Sequence, residues 1–74
     1  MKKLPFTAVL EREGSGFVSL CPELDIASQG DSMDEAMANL KEAVEGFLEA
    51  ASAEEIESRV HREVMIGRFE AVYA

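Results

Sequence analysis

The sequence predicts an α+β fold in one domain spanning residues 1–74, a three-stranded antiparallel sheet followed by a helix and a fourth strand in the order β-β-β-α-β. Three observations predict it. Apolar residues alternate with polar ones on both sides of Gly14-Ser15-Gly16, a serine-capped amphipathic stretch follows, and an apolar tail closes the chain.

Residues 4–13 place Phe6, Ala8 and Leu10 on one face and Thr7, Val9 and Glu11 on the other, the pattern of a half-buried strand. Gly14-Ser15-Gly16 reads as a hairpin turn, because glycine reaches positive φ without steric cost. Residues 16–21 return, with Phe17, Ser19 and Cys21 opposed to Val18 and Leu20. Pro22 cannot donate to a ladder and ends that strand. Asp25 to Gln29 reads as a short third strand. Ser32-Met33-Asp34-Glu35 is a capping box, and the helix behind it gathers Met37, Leu40, Val44, Phe47, Leu48 and Ala51 on one side. Asp34, Glu35, Glu42, Glu45 and Glu49 fall on the other. A second box, Ser52-Ala53-Glu54-Glu55, opens a short helix to about Arg59. The tail from His61 to Tyr73 is apolar on both faces, which suits a central or interface strand, with Gly67 a candidate bulge.

A chain of 74 residues buries only about 60% of its unfolded surface, which leaves roughly 3–5 kcal/mol of net stability. One cysteine, Cys21, excludes an internal disulfide, and one histidine, His61, excludes a His/Cys zinc cluster. Self-association is the remaining support, so a homo-oligomer is expected, with Met65, Phe69, Val72 and Tyr73 of the tail as its contact. No run is long and apolar enough for a membrane span, Met1-Lys2-Lys3 precedes no hydrophobic signal core, and Cys21 inside an apolar run suits a reducing compartment. A cytoplasmic protein is expected.

The formal net charge of −8 is unevenly spread. Residues 31–57 hold nine acids and one base, Lys41, while the remainder holds six of each and is neutral. Lys2, Lys3, Arg12, Arg59, Arg62 and Arg68 are scattered, so the basic footprint of a direct nucleic-acid binder is absent from the sequence pattern. Paired carboxylates raise the question of metal-dependent hydrolysis, which needs acids converging on one cavity. Asp25, Asp31 and Asp34 are explained by a corner and a helix start, and Glu11 and Glu13 by a hairpin. No enzyme, metal or cofactor is expected. Cys21 reads as a buried thiol and the methionines as core filler. Gly46, on the polar side of the helix, costs about 1 kcal/mol against alanine, and a partner's backbone approaching there is one reason to keep it.

Cys21-Pro22-Glu23-Leu24, Ala27-Ser28-Gln29-Gly30-Asp31 and Glu35-Ala36 followed by Asn39-Leu40-Lys41-Glu42-Ala43 occur in an order and spacing that resembles the amino-terminal domain of the HicB family of bacterial antitoxins, over residues 6 to about 51. The resemblance implies a partial ribonuclease-H-like sheet in strand order 3-2-1-4 with the helix on one face. It also implies a partner, a small basic HicA-like toxin that cleaves mRNA and is neutralised when its RNA-binding surface is masked. Many family members carry a further DNA-binding segment; this chain ends at Ala74 after the expected last strand, which points to a short form without one. Candidate partner contacts are Glu35, Glu42, Glu45 and Glu49 on the helix, or the Glu23–Asp31 corner with Glu23 and Asp25. The competing expectation is a solitary HicB-like domain that self-assembles through the tail in a structural or regulatory role, without a toxin.

Overall fold

Gly14 and Ser15 make the tight connection that the glycines predict. Gly14 adopts φ +60° and Glu13 lies opposite Gly16, so two residues reverse the chain between β1 (Val9–Glu13) and β2 (Gly16–Cys21). The computed structural model describes residues 3–61 and 63–74. Lys2 and Arg62, counted above among the scattered bases, lie outside the described residues. A turn over residues 22–25 leads from β2 into β3 (Ile26–Gly30), and the three strands form an antiparallel sheet in the order β1-β2-β3. Asp25 stands at φ 55°, a left-handed position that aspartate tolerates better than most residues, and it therefore belongs to the turn rather than to the third strand. That shifts β3 one residue later than its expected span of 25–29.

The first strand is shorter than the alternation suggests. It begins at Val9, paired with Leu20, because β2 ends at Cys21 ahead of Pro22 and residues 4–8 find no ladder partner. Thr7 instead gives its amide to the Glu23 carboxylate, at 3.0 and 3.1 Å. Pro5 has no amide to give.

Helix α1 (Met33–Ala50) starts where the serine predicts. Ser32 Oγ accepts from the Glu35 amide at 3.1 Å, and Glu35 Oε1 accepts from the Asp31 amide at 2.6 Å. Asp34 and Glu35 occupy the first turn, where the helix dipole favours negative charge. After Ala51, Ser52 caps α2 (Ala53–Arg59) in the same way, accepting from Glu55 at 3.1 Å. Both helices thus begin at the predicted boxes.

The strand pairing puts Leu10, Phe17, Ser19, Cys21, Ile26 and Ser28 on the side facing α1. Between sheet and helix lies the core: Cys21, Leu24, Leu40 and Val44, with Phe6, Ala8, Ile26, Phe47, Leu48 and Val60 packed around it. Gly30 sets the closest approach, since a Cβ there would meet the Ala36 nitrogen at 2.5 Å. One buried polar tie crosses the layers, from Ser19 Oγ to the Ala36 carbonyl at 2.9 Å. α2 is held by Arg59, whose Nη2 donates to the Leu24 carbonyl at 2.8 Å while its guanidinium stacks 4.6 Å from the Phe47 ring centre.

Two expectations change. Met37 stands 48% exposed on the flank of α1 and is not part of the core. The tail forms no strand: residues 63–74 carry no regular structure and pair with none of β1, β2 and β3. The structure is therefore α+β, a three-stranded antiparallel sheet with two helices, and the fourth strand is absent from the described residues of the single chain.

Candidate functional site: the acidic face of the long helix

At about 100° per residue, a helix whose buried residues are Ala36, Leu40 and Val44 must turn Asp34, Glu42, Glu45 and Glu49 to the opposite side. The structure has all four exposed. Glu42 and Glu45 are like charges one turn apart, as are Glu45 and Glu49, so each pair costs the helix a few tenths of a kcal/mol, by the usual ~0.2–0.5. Their one described countercharge is Lys41, whose Nζ reaches Glu45 at 4.0 Å with both side chains well solvated. A pair of that kind neutralises little. Arg59, the obvious neutraliser from the next helix, is committed to the Leu24 carbonyl and the Phe47 ring. Arg68 forms no ion pair among the described residues. Among the described residues, Glu42, Glu45 and Glu49 therefore stand as a solvated, largely uncompensated stripe.

Glu35 is exposed at the start of the same face, but one of its oxygens is spent on the Asp31 amide. Asp25 is apart from the stripe, in the turn before β3, where His61 Nε2 lies 3.8 Å from its carboxylate. Asp25 also sits next to the point where His61 donates its amide to the Glu23 carbonyl at 2.7 Å. The corner and the helix are two separate acidic surfaces.

Glu23 does not belong to the exposed acids. It is 8% exposed, turned inward, and its carboxylate accepts from the Thr7 amide, from Thr7 Oγ1 at 2.6 Å and from Cys21 Sγ at 3.5 Å. Burial pushes its pKa up, yet the Thr7 hydroxyl and amide outweigh burial and hold the carboxyl below its ordinary range. The same contact acts oppositely on Cys21: burial, then the hydrogen bond to Glu23, raises the thiol above its usual value. Cys21 is fully buried, and it is a packed thiol rather than a nucleophile. What looked in the sequence like part of an acidic corner is the clamp that fixes residues 4–8 against the β2–β3 turn. The only hint in the sequence is a carboxylate lodged between Pro22 and the core residue Leu24.

Met65, Phe69, Val72 and Tyr73 are all exposed, Phe69 at 89%, and touch none of the core. Gly46 lies on the outer side of α1 beside the stripe, and a Cβ built there meets nothing within 4 Å. Among the described residues no helix is long and apolar enough to cross a membrane.

Comparison with known proteins places the chain. It is 34% identical over 68 residues to a UPF0150 protein of Helicobacter pylori, covering 90% of this chain and 94% of that one. A UPF0150 protein of Synechocystis is 41% identical over 51 residues, covering 66% of this chain and 65% of the relative. No family model matches, and no solved structure matches. With that identity running through nearly the whole of both sequences, the chain belongs to the UPF0150 family.

Proposed function

We propose that this chain is a HicB-like, antitoxin-type interaction protein that binds a small basic HicA-like mRNA-cleaving toxin and neutralises it by masking the toxin's RNA-binding and active surface. The observation that carries the reading is the uncompensated stripe of Glu42, Glu45 and Glu49 on α1. A protein that cleaves RNA must first attract a polyanion through a basic surface. A rigid acidic face competes for that surface with the same charge logic, and the attraction speeds encounter as well as fixing orientation. The chain acts by occupancy, with no chemistry, metal or cofactor of its own, and its place is the bacterial cytoplasm. The finer fold reading belongs to the same proposal: a partial ribonuclease-H-like sheet in which a tail strand lies beside β1.

The test is charge reversal. Glu42→Lys with Glu45→Lys turns the 45–49 repulsion into an attraction, keeps the 42–45 repulsion with its sign reversed and adds one between 41 and 45, a net change of about a few tenths of a kcal/mol, so the far-UV helical signal should be kept. Capture of a cognate small basic HicA-like protein should weaken about 10- to 100-fold at low salt. Unchanged affinity would remove this face from the proposal. A second reading, a solitary HicB-like domain that self-assembles in a regulatory or structural role, is favoured by the exposure of Met65, Phe69, Val72 and Tyr73. The absence of any neighbouring gene for a small basic protein would favour it over the first.

A further inference from the structure

Two apolar surfaces of this chain lie open, and they match. One is a trough at the free edge of β1, between residues 4–8 and the flank of α1, where Leu4, Phe6, Met37 and Leu48 are joined by the charged Lys3, Lys41 and Glu45. Leu4 and Met37 are 41% and 48% exposed there. β1 is hydrogen-bonded on one side only, so its outer edge offers unpaired amide and carbonyl groups beside the trough. The other surface is the arm, residues 63–74. Met65, Phe69 and Tyr73 are 88%, 89% and 93% exposed.

In an extended strand successive side chains alternate. Met65, Gly67, Phe69, Ala71 and Tyr73 would then share one side, apolar beyond Glu63 at its start, while Arg68 and Glu70 share the other with Val64, Ile66 and Val72. A strand of that pattern gains from cover on both sides, and the Met65, Phe69 and Tyr73 side carries its largest groups. The described part of β1 and residues 4–8 offers ten positions along which such a strand can run.

We propose that residues 63–74 of one copy add as a fourth strand to the β1 edge of a second copy, with Met65, Phe69 and Tyr73 filling the second copy's trough, and that the exchange is reciprocal. The occupant is a second copy because the arm leads away from its own body. The last tie before it is the His61 amide on the Glu23 carbonyl. The radius of gyration is 14.4 Å, where a closed chain of this length has about 11 Å. Six large side chains from two arms, with the surface they cover, bury on the order of 2,000 Å², within the range of stable dimers. A short connection between helix and arm favours exchange over closure. The proposal rests on the self-association reading; Glu42 and Glu49 lie outside the lining of the trough, whereas Glu45 belongs to it, so the acidic stripe and the trough meet at that residue.

Light scattering on the full chain should give twice the 8.1 kDa of one copy. Phe69→Glu with Tyr73→Glu removes four aromatics from a reciprocal dimer and should weaken association about 10,000-fold, roughly tenfold for each, and keep the helical circular dichroism. Met37→Glu spoils the trough with the arm intact and supplies the same test independently of arm folding. An equimolar mixture of the arm and trough variants should recover a heterodimer, because one intact arm meets one intact trough. A monomeric parent overturns both the exchange and self-association. A dimer that survives both variants overturns the exchange alone, and points to another surface such as the open sheet face of Val9, Leu20 and Ala27.

Discussion

Glu23 carries more of the fold than its place in the sequence suggests. Its carboxylate satisfies both the amide and the hydroxyl of Thr7, sixteen positions away in sequence. No local rule of sequence reading could pair these two residues, which is why Glu23 was expected among the surface acids. Its pKa is lower in the folded chain than in the unfolded one, so the carboxylate adds stability above the ordinary carboxyl pKa and loses it as pH falls through the depressed value. Glu23→Gln should lower stability at neutral pH by about 1–2 kcal/mol. Chemical denaturation should then show the parent losing its advantage over that variant as pH falls below the ordinary carboxyl range. A stability difference constant across that range would show that the clamp does not depend on ionisation. Cys21, packed against the same carboxylate, needs no such test to be understood: a buried thiol with a raised pKa is poorly placed to react.

At the scale of elements, the boundaries set by local chemistry were legible and those set by distant partners were not. Both helix starts follow from a serine and a glutamate three residues apart, a contact that closes within one turn. The hairpin follows from Gly14, and the end of β2 from Pro22. The start of β1 depends on Thr7 leaving the ladder for Glu23, and the fate of residues 63–74 depends on a partner strand that the single chain does not provide. Met37 was placed in the core because its helical phase is only slightly off the buried stripe; the sheet is three strands wide, so that flank of α1 has nothing beneath it. Gly46 makes a clean element-level test. It sits in a helix interior with open space around it, so Gly46→Ala should raise thermal stability by about 0.5–1 kcal/mol. If the same substitution weakens binding of a basic partner, a backbone approaches α1 at that point; unchanged binding means the glycine serves no contact.

For the whole molecule, charge and apolarity are sorted onto different surfaces. The inner side of α1 joins the core, its flank opens onto the trough beside β1, and its outer side carries the acids. The surplus negative charge of residues 31–57 was readable from the sequence. That it stays largely uncompensated among the described residues required the structure, because Arg59 could have folded onto the stripe and instead docks on Phe47 and Leu24. A molecule sorted this way can bind a basic protein with one surface and its own copy with another. The most direct measurement is the affinity of the full chain for the small basic HicA-like protein across ionic strength, beside a chain carrying Glu42→Gln, Glu45→Gln and Glu49→Gln. Binding through the acidic stripe predicts tight association at low salt that weakens about tenfold or more by roughly 0.3 M, and a variant that loses both the affinity and most of the salt dependence. Affinity indifferent to salt, or preserved in the triple variant, would contradict it.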